Sequence, residues 1–276
     1  MPTITCITEN SATRGSPFWG EHGLSFLIEI GDRRILFDTG QTSAVLLHNM
    51  ALMDVSPRDV DAIALSHAHN DHTGGLPAML CARPGLPLYA NADLGRPRYS
   101  RKDGRYQPIG MPYTIEELAY LSDLHLSSEP QEVLSGVWTT GEIVDRPEGE
   151  GRSPAHVVPD GEGWRPDPYQ DDMSIVMETG AGLVLVLGCC HAGLLNTLAH
   201  VTRHFGAAPY VVMGGTHLAA ADNNQLRHIV EVLQGMSNLE RIYPSHCSGE
   251  RPFVALATAF GDQVQPCPAG TVLAFE

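Results

Sequence analysis

One short stretch of the chain carries its strongest chemical signal. His67, His69, Asp71 and His72 stand in the order His-x-His-x-Asp-His. Imidazole nitrogens and carboxylate oxygens bind divalent transition metals, and this spacing lets two side chains reach one ion while two others face a second. Two neighbouring ions can activate water and polarise an electrophile. The motif therefore predicts a dinuclear metal site for hydrolysis or a related displacement, with Asp71 among the catalytic groups; a histidine-rich polar turn is the alternative.

The segments around the motif are suited to hold it in place. Residues 61–65 predict a strand that ends just before the motif, and Gly74-Gly75 predicts the start of a helix just after it. Two glycine-centred strand pairs, within residues 25–40 and 174–188, resemble each other. We expect two related halves that form a sandwich of two sheets with helices outside, and a site where the strand ends deliver loops.

Length and composition limit the classes of function. The 276 residues can bury a substantial core, while 32 acidic against 17 basic side chains argue against a nucleic-acid partner. The chain has no run of about 18 apolar residues and no basic-then-apolar leader, so no membrane partner is expected. The six cysteines lack C-x-x-C spacing and two are adjacent, which favours a reducing, cytoplasmic location.

With its motif after an apolar strand, the sequence resembles the metallo-β-lactamase superfamily over nearly its whole length. The resemblance implies an α/β (α+β) fold, a four-layer αββα sandwich formed as a single domain by residues 1–276. It also implies two divalent metal ions, zinc in the first place and manganese or iron as alternatives. Asp38 would orient a ligand histidine, although a role as a turn or helix-capping carboxylate stays open.

Four further segments narrow the resemblance to a subfamily. They are residues 171–174, 188–193, 214–218 and 244–249. In this order they are similar to the subfamily named for 7,8-dihydropterin-6-methyl-4-(β-D-ribofuranosyl)-aminobenzene-5′-phosphate synthase. Carried over, the resemblance implies that His191 and His246 complete the metal shell begun by the motif. Each could instead be a buried structural histidine.

The chain departs from the wider superfamily at two places. Cys189 follows Gly188 where the superfamily normally has a metal-bridging aspartate, so the bridge would be lost or be a thiolate. Residues 137–142 lack the histidine that many members have there, so we expect His191 to substitute for it from another loop. The two metals should then be held less equally, and one site could be labile.

Two more residues fall close to the predicted centre. His217 follows a Gly-Gly pair and is a candidate general acid or substrate contact, or else a group that supports a metal ligand. Cys247 stands beside His246, and we expect a packed thiol there rather than a nucleophile, because the metals already supply one.

Residues 91–170 differ in character from the rest of the chain. They are rich in proline and glycine and poor in periodic apolar runs, so they predict an insertion over the active face. Five of the 17 basic residues lie within ten positions here: Arg96, Arg98, Arg101, Lys102 and Arg105. Such a cluster suits a small anionic, phosphorylated substrate, although an ordinary solvated loop is the alternative.

Three functions follow from these observations. The subfamily resemblance implies condensation of a pterin carrying a methyl diphosphate with a phosphorylated ribosylaminobenzene. The alternative is a dinuclear metal hydrolase that acts on a phosphodiester, cyclic phosphate or lactone. A third reading is a non-hydrolytic metal or redox sensor, suggested by Cys189, Cys190 and Cys247. The residues are compatible with a homo-oligomer but do not demand one.

Overall fold

The computed structural model describes all of residues 1–276. The strands are β1 (Thr3–Thr8), β2 (Ser25–Ile30), β3 (Arg33–Phe37), β4 (Ala62–Ala64), β5 (Leu86–Ala90), β6 (Tyr99–Lys102), β7 (Arg105–Pro108), β8 (Ser122–Leu126), β9 (Glu132–Leu134), β10 (Val137–Thr139), β11 (His156–Asp160), β12 (Gly163–Pro166), β13 (Ile175–Thr179), β14 (Gly182–Leu187), β15 (Pro209–Gly215), β16 (Arg241–Ser245) and β17 (Val272–Ala274). The helices are α1 (Ser43–Leu52), α2 (Asn70–Thr73), α3 (Leu76–Ala82), α4 (Ile115–Leu121), α5 (Leu194–Phe205), α6 (Asn223–Gln234) and α7 (Glu250–Phe260), with 3-10 turns at Pro57–Asp59 and Gly261–Gln263. No helix is both long and apolar enough to span a membrane.

Two large sheets lie face to face. The first has the strand order β17-β1-β2-β3-β4-β5-β8, and the second has the order β16-β15-β14-β13-β10-β9. Alternate side chains of each strand point into the space between the sheets, where Phe26 and Phe37 of the first sheet share one apolar cluster with Met177 and Val186 of the second. This shared cluster is the central core of the molecule.

Helices cover the outer faces of both sheets. Leu46 of α1, Met79 of α3 and Leu118 of α4 belong to an apolar cluster on the first sheet. Leu198 of α5 and Ile229 of α6 belong to a cluster on the second. Three apolar layers between four layers of backbone confirm the predicted αββα sandwich.

The two halves repeat one arrangement, as the sequence predicts. Each begins with an antiparallel pair, β2–β3 or β13–β14, whose second strand then pairs in parallel with the strand that follows the next helices. Parallel strands end at the same edge of a sheet. The loops that follow β4, β14, β15 and β16 therefore come together. They contain residues 67–72, residues 188–193, His217 and His246 in that order.

The middle of the chain is not one insertion, and the expectation for residues 91–170 needs correction. Strand β8 pairs in parallel with β5 at the edge of the first sheet, and β9 and β10 extend the second. Only β6, β7, β11 and β12 form a separate four-stranded sheet, called the small sheet below. Strands of three to five residues at a sheet edge need little apolar periodicity, so the sequence pattern does not reveal them.

Candidate metal centre

The histidine motif lies in a tightly packed turn between β4 and α2. His67 and His72 are fully buried, and Asp71 is 9% exposed. The turn is fastened by the Thr39 amide, which donates to the His72 carbonyl at 2.7 Å. A Cβ on Gly74 would lie 1.9 Å from the Gln41 carbonyl oxygen, so the glycine is needed for close backbone approach and not only to begin a helix.

Three imidazoles converge on one side of the turn, and we call them the first ligand group: His67, His69 and His191. His67 Nε2 lies 2.9 Å from His69 Nδ1, and the His191 ring centre lies 4.9 Å from that of His67. Burial lowers the pKa of all three well below the ordinary histidine value, so they are neutral and carry free lone pairs at pH 7. Neutral imidazole is the form that binds metal.

Asp71, His72 and His246 form a second ligand group beside the first. Asp71 Oδ2 lies 3.3 Å from His246 Nε2 and 3.8 Å from His72 Nε2. Burial would raise the pKa of Asp71, yet the neighbouring His72, His22 and His246 hold it well below its usual value. The carboxylate is therefore ionised. Nδ1 of His246 is engaged by Asn10 Oδ1 at 2.9 Å, which aims Nε2 at the cluster.

The donor atoms fit divalent transition metals. Nε2 of His69, Nε2 of His191 and Nδ1 of His217 are buried without a hydrogen-bond partner. Unpaired buried polar atoms are costly, and a cation held by His67 and His191 would satisfy Nε2 of His191. Cys189 Sγ lies within 4.8 Å of the ligand atoms of His67 and His191, and within the same limit of those of His72 and His246. Nitrogen, sulfur and carboxylate donors together suit zinc or iron.

Asp38 contacts His72 of the second ligand group directly, which is the position required for the orienting role predicted from the sequence. Its carboxylate accepts hydrogen bonds from the amide and the hydroxyl of Ser66, both at 2.7 Å, and lies 2.6 Å from His72 Nδ1. Burial opposes a charge on His72, but Asp38 and Asp71 raise its pKa to about 9. The backbone of Asp38 has φ +59°, a conformation that aspartate tolerates better than most residues.

Two consecutive carboxylates fasten the two ligand loops. Asp171 accepts a hydrogen bond from the Ala68 amide, between His67 and His69, at 2.8 Å. Asp172 accepts one from the Ala192 amide, next to His191, also at 2.8 Å. Since both carboxylates are buried and adjacent in sequence, they set the position of one ligand loop relative to the other.

Arg98 does not face a substrate, and its predicted role is wrong. Its guanidinium is buried, with Nη2 2.6 Å from Asp171 Oδ1 and Nε 3.1 Å from Asp167 Oδ2. Arg96 is half-buried and pairs with Asp93 at 2.5 Å. In a low-dielectric interior the carboxylates need a cation, and Arg98 supplies it.

The remaining basic residues of the predicted cluster are exposed. Arg101, Lys102 and Arg105 lie on the β6–β7 hairpin of the small sheet. The nearby aromatic rings pack on one another, with Tyr106 stacked on Trp164 at 4.1 Å.

A cavity of about 170 Å³ opens onto both ligand groups. His217 lines it, 4.3 Å from the His191 ring, and this is the strand-end edge that the sequence predicts. Burial lowers the pKa of His217, but the Cys247 thiol and the carboxylates of Asp172 and Asp71 together raise it overall. Cys247 also lines the cavity, so it is not the packed thiol that we expect from the sequence.

Two more cavity residues escape sequence reasoning. His22 Nε2 lies 3.2 Å from Asp71 Oδ2, and its side chain is 67% exposed. His156, at the start of β11, lies 5.0 Å from the His69 ring, and its Nδ1 is 2.9 Å from the Tyr169 hydroxyl. Neither residue belongs to a sequence motif, so the only signal in the sequence for a role in the cavity is that both are histidines.

Comparison with known proteins agrees with this geometry. The profile of the metallo-beta-lactamase superfamily matches residues 19–172. A Methanocaldococcus jannaschii protein named 7,8-dihydropterin-6-methyl-4-(beta-D-ribofuranosyl)-aminobenzene-5′-phosphate synthase is 30% identical, over 99% of this chain and 96% of its own. A second, uncharacterised protein from the same organism is 30% identical over 92% of this chain and 93% of its own.

Among solved structures, the crystal structure of a metal-dependent hydrolase of the beta-lactamase superfamily has a TM-score of 0.85. It is 26% identical, and the match covers 100% of both chains. The chain is thus similar to known proteins over its full length, both in sequence and in fold. The chain belongs to the metallo-β-lactamase superfamily of metal-dependent enzymes and, within it, to the subfamily similar to the dihydropterin ribofuranosylaminobenzene-phosphate synthase.

Proposed function

We propose that this enzyme is a transferase that joins a dihydropterin carrying a methyl diphosphate to a phosphorylated ribofuranosylaminobenzene. The bond between the methyl carbon and the diphosphate oxygen breaks, and the diphosphate leaves with the electron pair. The amino nitrogen of the aminobenzene supplies the pair for the new carbon–nitrogen bond and gives up one proton. The observation that carries the proposal is the end-to-end match with the relative of that name, over 99% of this chain and 96% of the other.

Six side chains would hold two divalent ions, with zinc as the expected metal. They are the two ligand groups, namely His67, His69 and His191 with Asp71, His72 and His246. Bound there, a pair of cations supplies positive charge that stabilises an anionic leaving group. The neutral rings of the first group and the ionised Asp71 of the second supply the lone pairs without first losing a proton.

Two histidines of the cavity would contact the substrate directly. Burial lowers the pKa of His217, but Cys247 and two nearby carboxylates together raise it overall, so its ring can carry a proton and donate it to a leaving phosphate oxygen. His156 has Nδ1 engaged by Tyr169, which leaves Nε2 to contact a substrate. The proposed catalytic residues are His217, as the proton donor, and Asp71, as the ionised carboxylate of the second ligand group.

Arg101, Lys102 and Arg105 would bind a phosphate at the far end of the substrate. Strand β7 runs from Arg105 to Pro108, and Ile109 lines the cavity. Four residues of extended chain cover about 13 Å, within reach of a substrate made of several rings. We therefore keep these three exposed residues as substrate contacts and leave out the buried Arg98.

Hydrolysis is the second candidate, because the similar crystal structure is that of a metal-dependent hydrolase. In that case water would replace the aromatic amine as the nucleophile, with a phosphodiester, cyclic phosphate or lactone as substrate. The same ligand groups and the same cavity would serve both reactions. A sensor without turnover is the weakest reading, since the full-length relative is named as an enzyme.

One assay separates the two reactions. Purified enzyme is analysed for metal and then given the pterin diphosphate with or without the aromatic partner. Diphosphate release that requires the partner supports the transferase, and equal release with water alone means a hydrolase. His69→Ala should lose at least one metal ion and the activity. His228→Ala, an exposed histidine on α6, is the matched control and should keep both.

A further inference from the structure

Cys189 is the donor that the two ligand groups share. Its Sγ lies within 4.8 Å of the ligand atoms of His67 and His191 in the first group. It lies within the same limit of those of His72 and His246 in the second, with 3.2 Å to His72 Nε2. A single atom placed between two sets of metal ligands is in position to bind both ions.

We propose that Cys189 supplies a thiolate that bridges the two metal ions, an inference that rests on the metal centre of the proposed function. Upon binding, the thiol would release its proton to solvent water, and the sulfur lone pairs would form one bond to each ion.

The surroundings of Cys189 argue against a packing role. Cys6, Cys190 and Cys267 each belong to an apolar cluster, whereas Cys189, although only 3% exposed, belongs to none. Its neighbours are imidazoles and the second thiol, Cys247. A buried sulfur among polar donors, rather than among methyl groups, indicates a ligand.

The side chains of the adjacent Cys189 and Cys190 point to opposite sides of the loop that follows β14. Cys190 has φ +59°, and its Sγ lies 3.3 Å from Thr197 Oγ1 on α5, away from the metal centre. On the other side, Cys189 Sγ lies 3.2 Å from His72 Nε2, and Gly215 leaves room beside it for the sulfur of Cys247, which would lie 2.7 Å from a Cβ there. Cys190 is thus the natural control for Cys189.

A thiolate bridge would change what the centre can do. Thiolate is a softer donor than carboxylate and therefore selects zinc or iron over manganese or magnesium. It also gives more electron density to both ions, which reduces their power to acidify water. Cys189 would thus disfavour attack by water while still allowing an anionic leaving group to bind, as a transferase requires.

The test uses full-length protein loaded with Co²⁺ or with ¹¹³Cd²⁺. Wild type should bind two ions and show near-ultraviolet charge-transfer absorption from thiolate to cobalt. In the cadmium protein, both ¹¹³Cd signals should couple to the β-protons of one cysteine. Cys190→Ala should leave metal content, absorption and coupling unchanged. Cys189→Ser should lose the coupling and most of the absorption, and bind metal about 10–100-fold more weakly.

Cys189→Asp keeps a bridging donor and guards against a variant that merely fails to fold. It should bind two ions without the charge-transfer band and hydrolyse a simple phosphodiester faster than wild type.

A band that survives Cys189→Ser and disappears in Cys247→Ala would overturn the proposal in favour of Cys247. Coupling of only one cadmium signal would overturn the bridge, and two bound ions without any band would exclude a thiolate ligand. A wild type that binds no metal would instead refute the proposed function itself.

Discussion

The metal centre and the small sheet are neighbours, and both are rich in charged or titratable side chains, but they use them in opposite ways. The centre buries its donors on strand-end loops of the two large sheets. The small sheet extends Arg101, Lys102 and Arg105 into solvent. Arg98 lies one residue before β6 of the small sheet, yet its buried ion pairs make it part of the support of the centre.

This difference shows that burial, and not residue type, decides whether a charged side chain stabilises the fold through ion pairs or remains exposed to solvent. A buried carboxylate such as Asp171 needs both a cation and a hydrogen-bond donor, and it has them in Arg98 and the Ala68 amide. An exposed arginine needs no partner and contributes little to stability. The following predictions test where the boundary between the two regions lies.

The largest effect is expected from Arg98→Met. The change leaves Asp167 and Asp171 buried without their cation, so the free energy of unfolding should fall by about 3–5 kcal/mol. Urea unfolding measures this. Arg101→Met, three residues further along the chain and exposed, should stay within about 0.5 kcal/mol of wild type. Similar losses in both variants would mean that the support of the centre extends into the hairpin.

Metal removal should affect the centre but not the small sheet. With metal at about 100 times its Kd, chelation should cost about 3 kcal/mol of unfolding free energy. Hydrogen exchange should speed up at residues 66–73 and 188–193, because their donors then face one another without a cation. The β6–β7 hairpin should exchange at an unchanged rate. Faster exchange in the hairpin as well would contradict the separation of the two regions.

Asp38→Asn tests the support of the second ligand group. Asparagine also tolerates a positive φ, so the backbone can stay while the charge beside His72 is lost. Metal affinity should fall about 10–100-fold, measured by competition with a chromophoric chelator. Asp54→Asn is the matched control, since Asp54 also has a positive φ of 55° but is exposed. Equal metal affinities in both variants would mean that Asp38 does not support the metal centre.

The smallest effect on stability is expected from the double change Arg101→Glu and Lys102→Glu. Unfolding should shift by less than about 0.5 kcal/mol, because both side chains are exposed. KM for a phosphorylated substrate should rise several-fold while kcat stays constant, measured by steady-state kinetics. Arg203→Glu with Arg227→Glu, on the outer helices, provides the control for net charge. An unchanged KM for every phosphorylated substrate tried would exclude the hairpin from binding.

Much of the fold and part of the site could be predicted from sequence. The strand before residues 67–72 and the glycine-centred strand pairs predict a sandwich of two sheets with helices outside. The resemblance to the superfamily implies the αββα order and adds His191 and His246 to the motif, and the structure brings these residues together. The extent of the insertion was wrong because edge strands as short as β9 and β10 leave no periodic signal.

The sequence by itself determined the superfamily and the residue types of the candidate metal ligands, because these depend on local spacing and on residue type, and the layer order followed from the superfamily resemblance. Only the tertiary structure decided that Arg98 is buried, that His22 and His156 join the cavity, and that Cys189 and not Cys190 faces the donors. Burial and long-range contact set these roles, since a side chain's charge, protonation and partners follow from what the fold packs around it.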